Sequence, residues 1–173
     1  MKIKKKLSEF VGSFGTRYAV TPEYTYLFDL YRAVRIPNSH PLAVNIADDE
    51  RMTEIDLPSI IPDMMGRIFK YGENFHRVEL LSVSELKKQF HELVGRKRDR
   101  VIYKALEGED CPAVNVRYLI AAMEAIDARE MWVKGLFDPI YLFEEDDLID
   151  GIVVLLLPVN VRPDVKGMWV SET

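Results

Sequence analysis

The chain has 173 residues, 48% of them hydrophobic, and a formal net charge of −5. That size and apolar content are enough to bury a core without disulfides or metals, and the acid excess argues against a general polyanion binder. The longest apolar run, Ile152 to Val159, is far below the roughly 20 residues of a membrane-spanning helix. The opening MKIKKKLSEF carries lysines without the apolar run of a secretory signal, so a cytoplasmic protein with no membrane association is expected. Cys111 is the lone cysteine, which excludes an internal disulfide and a multi-cysteine zinc site.

In chain order, Ile3, Leu7, Phe10, Val11 and Phe14 fall on one helical face, interrupted by Gly12 and Gly15, and predict a short helix. TRYAVT (16–21), YTYLFDLYRAVRIP (24–37) and LAVNI (42–46) read as strands from their β-branched and aromatic content. TEIDLPSIIPDMMGRIFKYGENF (53–75), with two prolines and two glycines, reads as a connector, or as part of an insertion spanning 53–112. Ser82 and Glu85 have capping-box spacing ahead of Leu86, Phe90, Leu93 and Val94, with Gly95 placed to end that helix. RVIYKAL (100–106) follows as a strand.

Val116, Leu119, Ile120, Met123 and Ile126 then form a stripe opposite Arg117, Ala121, Glu124 and Ala128, the pattern of a helix laid on a sheet. MWVKGLF (131–137), IYLFEE (140–145) and GIVVLLLPV (151–159) read as strands, the last as core strand. RPDVKGMWVSET (162–173) has Pro, Gly and little period, and reads as a loosely held tail. Lead-in strand, helix and strands recur, most clearly from VNV (114–116) and in shortened form from VELLS (78–82). The expected fold is α+β, with amphipathic helices packed on one face of antiparallel sheets, as one domain over 1–161.

Positive charge gathers at Lys2, Lys4, Lys5 and Lys6 and in GRKRDR (95–100), and acid in ADDE (47–50) and EEDDLID (144–150). Such segregation can build one basic surface on an acidic protein, although each cluster alone is also an ordinary solvated face. Catalysis is not expected, since His40, His76 and His91 lack ligand spacing and neither a nucleophile elbow nor a phosphate-binding glycine loop occurs. Glu144, Glu145, Asp146 and Asp147 could bind a divalent ion, but adjacent carboxylates in a hairpin turn are usually solvated. No cofactor and no metal is therefore expected. Cys111 has no activating neighbour in sequence, and Trp132 and Trp169 read as packing residues.

NVRYLIAAMEAI (115–126), FDPIYLFEE (137–145) and LLLPVNV (155–161) follow one another near the end of the chain, and YLFDLYRAVRIP (26–37) and IDLPSIIPDM (55–64) stand earlier. In this order they resemble the bacterial DNA sliding clamps, the beta subunits of DNA polymerase III. In that family the last helix commonly opens Asn-Val-x-Tyr-Leu and the terminal strand ends apolar-Met-Pro-Val-Arg. Asp29 and Arg32 are in register with its Ala-Thr-Asp-Gly-His-Arg-Leu strand. The resemblance touches about half the chain and is strongest over 113–161. The Thr-Asp-Gly-His core is here Phe-Asp-Leu-Tyr, Pro-Val-Arg is Pro-Val-Asn, and the chain is under half a three-domain clamp subunit.

The resemblance implies a clamp-like fold and a non-enzymatic, DNA-associated replication accessory or processivity-type factor, such as a phage or mobile element carries. It implies non-specific duplex DNA along helix faces, with Lys4, Lys5, Lys6, Lys87, Lys88, Arg96, Lys97, Arg98, Arg100 and Arg117 as the contact candidates. It also implies an apolar pocket for short peptide motifs of replication or repair proteins. The positions carried over are Leu30, Tyr31, Arg32, Pro58, Tyr118, Ile140, Leu157, Pro158 and Val159, and each apolar one is by default a core position unless they converge. To encircle DNA, so short a chain would have to form a homo-oligomer. The tail past Val161, where the family's chains end, could occupy the pocket. The alternatives are an interaction or inhibitor module with a clamp fold that has lost DNA binding, and a metal-dependent hydrolase using the acidic run.

Overall fold

The computed structural model describes residues 3–70, 74–94, 100–104, 111–143, 151–159 and 169–172, without the side chains of 69, 92–94, 100–104 and 169–172. Helix α1 (Lys5–Gly12) leads into strands β1 (Arg17–Val20), β2 (Tyr24–Phe28) and β3 (Arg32–Pro37), followed by α2 (Pro41–Asp48), β4 (Thr53–Glu54) and α3 (Ile60–Lys70). Next come β5 (His76–Glu79), α4 (Val83–Val94), β6 (Arg100–Lys104), β7 (Ala113–Asn115) and α5 (Val116–Ile126). Strands β8 (Glu130–Val133), β9 (Ile140–Phe143), β10 (Val153–Leu156) and β11 (Trp169–Glu172) close the chain. The larger sheet has the order β4-β1-β2-β3-β10-β9-β8-β5 and is antiparallel except for the β1–β4 pair; β11-β6-β7 forms a second, antiparallel sheet. The class is α+β.

Strand β10 sits between β3 and β9, with Val154 opposite Val34 on one side and Leu142 on the other. All four of its residues are buried. Val154 and Leu156 join Leu27, Val34, Ile36, Ile140 and Leu142 in a core shared with α1, α2, α4 and α5. Val153 and Leu155 point to the opposite face, where they meet Tyr26, Ala33, Tyr141 and Phe143 beneath Ile61, Met65 and Ile68 of α3. A strand covered on both faces has no polar side to present, so Val-Val-Leu-Leu runs without alternation.

The helices form for reasons written locally. In α5 the expected stripe is buried together with Ala122 and Ala125. Asn115 Oδ1 accepts the Arg117 N–H at 3.0 Å as its N-cap. The helix ends at Asp127, whose left-handed φ of 53° an Asp tolerates better than most residues. Ala128, which the helical period puts on the open side, lies past that end and is buried. In α4 the Ser82 hydroxyl accepts the Glu85 N–H at 3.2 Å, and Leu86 and Phe90 are buried. Helix α1 packs Leu7, Phe10 and Val11 into the core that α5 also enters.

Three segments differ from expectation. LAVNI is not a strand but lies within α2, which opens on Pro41, already at a helical φ and with no N–H to satisfy, and is capped by His40 Nδ1 accepting from Leu42 N at 3.1 Å. The expected connector contains α3. Its Pro62 falls in the first turn, where the missing N–H costs no intrahelical bond, and Asp63 near the start and Arg67 and Lys70 near the end match the helix dipole. Part of the tail is strand β11, which pairs with β6 from Trp169↔Tyr103 to Glu172↔Arg100.

Gly66 lies inside α3, and a Cβ built there meets nothing within 4 Å. Gly66→Ala should therefore raise stability by about 0.5–1 kcal/mol, read as a higher midpoint in urea unfolding. Tyr141 is fully buried, donates its hydroxyl to the Met64 carbonyl of α3, and is pushed up to about 12 chiefly by burial, against the smaller opposing pull of Arg67. Because the folded phenol holds its proton more tightly than an unfolded tyrosine near about 10, the stability it contributes is complete below that pH and is lost as pH rises through the window up to about 12. Tyr141→Phe should delete one late-titrating phenolate from a rapid-mixing ultraviolet titration and, by losing the α3 hydrogen bond, cost about 1 kcal/mol.

Candidate functional site

The β2–β3 hairpin turns at Asp29, whose Oδ1 accepts the backbone N–H groups of Tyr31 at 2.8 Å and Arg32 at 3.0 Å, a local turn that an Asp side chain supports well. Asp29 Oδ2 accepts Arg32 Nε at 3.0 Å, so one carboxylate fixes both the turn and the first side chain of β3. Arg32 is buried, donates from Nη2 to the Ser13 carbonyl at 3.2 Å, and places its guanidinium 4.1 Å from the Phe14 ring centroid and 4.8 Å from that of Tyr118. A charge this sheltered persists because its carboxylate and ring faces replace water.

Tyr118, on the first turn of α5, also stacks on Tyr31, with ring centroids 6.3 Å apart and planes 24° apart. Beyond β10 the chain continues past these rings. Leu157 N donates to the Tyr31 carbonyl at 2.9 Å, and Val159 N donates to the Ala113 carbonyl at 2.8 Å. Tyr31, Asn115, Tyr118, Leu157, Pro158 and Val159 enclose a pocket of about 150 Å³. That is smaller than the roughly 300–1,000 Å³ of typical small-molecule sites.

Of the residues carried over as pocket candidates, Tyr31, Tyr118, Leu157, Pro158 and Val159 come together, and Arg32 lies behind Tyr118. Leu30 sits at the hairpin tip beside them, 81% exposed. Ile140 does not line the pocket: it is fully buried in the larger core, opposite Leu156 of β10. Pro58 is not brought there either. It is an exposed residue just before α3, accepting from Ile61 N at 3.0 Å, and α3 packs on the other face of the sheet.

Sequence reasoning missed Asn115, which lines the pocket while capping α5, and the pair Leu136 and Phe137. Phe137 is 77% exposed at the β8–β9 turn. Leu156 pairs with Arg32 on one side and Ile140 on the other, which sets this turn at the same end of the sheet as Tyr31 and Leu157. The available signal was two large apolar residues between Gly135 and Asp138-Pro139, a turn where polar residues are the rule.

Among the described residues on the helical face, four of the lysines expected to contact DNA are paired with carboxylates of the chain. Lys4 pairs with Asp127, Lys5 and Lys6 approach Glu9 at 3.8 and 3.6 Å, and Lys6 and Lys87 lie 3.6 and 3.0 Å from Glu124. The Arg117 guanidinium rests 5.2 Å from the Phe90 ring centroid, and Lys88 is exposed. Arg96, Lys97 and Arg98 lie outside the described residues, as does the side chain of Arg100 on β6. The acidic run 144–147, and residues 162–168 and 173 of the tail, are outside them too.

Cys111 is buried, His40 is the α2 cap, and His91 is exposed beside Phe90. Trp132 packs between the Phe143 ring, 5.3 Å away, and the Arg77 guanidinium at 5.5 Å. Among the described residues no group of three His, Cys, Asp or Glu side chains is placed to hold a metal ion, and no helix is long and apolar enough to cross a membrane.

No protein-family model matches the chain, and no curated protein matches it. Among solved structures the chain is similar to the crystal structure of the DNA polymerase III beta subunit from Thermotoga maritima, with 15% identity and a TM-score of 0.40 over 82% of this chain and 43% of that one. The chain thus spans less than half the length of that protein.

Proposed function

We propose that the chain is a non-enzymatic peptide-docking module that takes a short apolar segment of a partner protein between the β2–β3 hairpin, the first turn of α5 and the strand exit 157–159. The observation that carries this reading is the convergence of Tyr31, Tyr118, Leu157, Pro158 and Val159 around one apolar pocket. They come from three separate stretches of the chain and are five of the nine positions the sliding-clamp resemblance marks for partner binding. Two aromatic walls and a proline suit an aliphatic or aromatic anchor residue, and exposed Leu30 and Phe137 supply apolar surface at the same end of the sheet. Replication or repair proteins are the partner class that the resemblance favours.

The same resemblance implies duplex DNA on the helical face. The carboxylates that engage Lys4, Lys6 and Lys87 favour a protein partner over DNA as the primary one. A clamp-like accessory role on DNA would then depend on what the docked partner, or further copies of the chain, contribute.

The reading is tested with a panel of fluorescent hexapeptides carrying Leu, Phe, Met or Ala at each of two adjacent positions. Peptides with two large apolar residues should bind, and the Ala-Ala peptide should not. Tyr31→Ala, a half-exposed position that tolerates truncation, should weaken the best peptide about 10-fold or more, as loss of an aromatic anchor does. Absence of saturable binding across the panel, or binding indifferent to Tyr31→Ala and Pro158→Ala together, would sink the pocket reading.

A further inference from the structure

Glu124 stands on α5 with α1 on one side and α4 on the other. Its Oε2 lies 3.6 Å from Lys6 Nζ and its Oε1 lies 3.0 Å from Lys87 Nζ, so one carboxylate faces two ammonium groups from two helices. It is also the most sheltered of the three, with 19% side-chain exposure against 55% for Lys6 and 42% for Lys87. One turn on, Asp127 engages Lys4 in the same way. Exposed ion pairs of this kind contribute little to folding. Their effect on the field outside the protein is larger, because each pair removes a positive charge from the surface a polyanion would meet.

We infer that Glu124 determines which partner class the helical face admits: by holding Lys6 and Lys87 it keeps duplex nucleic acid off this face. A phosphate approaching either lysine must displace a carboxylate already seated between them, and it is repelled by that carboxylate as it comes. Lys6 gains a second acidic neighbour in Glu9 at 3.6 Å, Arg117 rests over Phe90, and Lys88 of α4 is exposed. One substitution should therefore convert the face. This inference concerns the helices and stands or falls apart from the pocket.

The test is fluorescence anisotropy of a labelled duplex of about 20 base pairs with the full chain, at about 50 and about 200 mM salt, beside thermal melts. Glu124→Gln should raise duplex affinity roughly 10- to 100-fold at the lower salt and steepen the salt dependence by about two phosphate contacts, since each lysine released adds about 0.9 to the slope. Its melt should move by only a few degrees. Adding Lys6→Gln and Lys87→Gln should return the affinity to its starting value. Unchanged affinity in Glu124→Gln, or a gain that survives loss of both lysines, overturns the inference. If Glu124→Gln does not fold, Lys6→Gln with Lys87→Gln in the otherwise native chain decides the matter. Affinity within about twofold of native supports the inference, and a roughly tenfold loss, meaning that the lysines were already available to phosphate, overturns it.

Discussion

Burial of β10 on both faces is the constraint from which the rest of the architecture follows. Val154 and Leu156 are covered in the core shared with α1, α2, α4 and α5 on one side, and Val153 and Leu155 in the core beneath α3 on the other. Each fully buried aliphatic side chain contributes about 1.5–3 kcal/mol relative to exposure, so a helix that shields two of them and an aromatic row besides is structural, not decorative. The same central placement puts β10 between β3 and β9, and thereby delivers Leu157, Tyr31 and the β8–β9 turn to one end of the sheet. The pocket is a by-product of the way the core closes.

How much of this the sequence discloses depends on whether the signal is local. The cap Ser82, the stripe of α5 and the unbroken apolar run of β10 are each readable within a few residues, and all reappear in the structure. Helix α3 was hidden because Pro62 and Gly66 look like breakers until the helix start is known; Pro62 then sits harmlessly in the first turn, and Ile61, Met65 and Ile68 emerge as its buried stripe. Helix α2 was hidden because Leu-Ala-Val-Asn-Ile over five residues fits either period, and its cap is a histidine. The pairing of β11 with β6 joins segments far apart in the chain and leaves no local mark.

The candidate site shows the same division. Tyr118, Leu157, Pro158 and Val159 were legible through resemblance, and Asp29 and Arg32 through register. Their joint logic was not: Asp29 shapes the turn, orients Arg32, and Arg32 in turn supports the Tyr118 ring. Ile140 was not separable from its neighbours by sequence, since every residue of β9 is apolar and buried and nothing local marks which of them a pocket would use. Charge was the least legible property, because a run of lysines in sequence says nothing of the carboxylates that another helix will bring to meet it.

The strand exit at 157–159 carries a consequence for how any occupant is held. The Leu157 amide is committed to Tyr31 and the Val159 amide to Ala113, while Pro158 between them has no N–H to give. This stretch therefore offers an incoming main chain no donor, and a partner cannot register itself there by adding a strand. On the docking reading, recognition then leans on side-chain fit against Tyr31, Tyr118 and Pro158 in place of a backbone ladder.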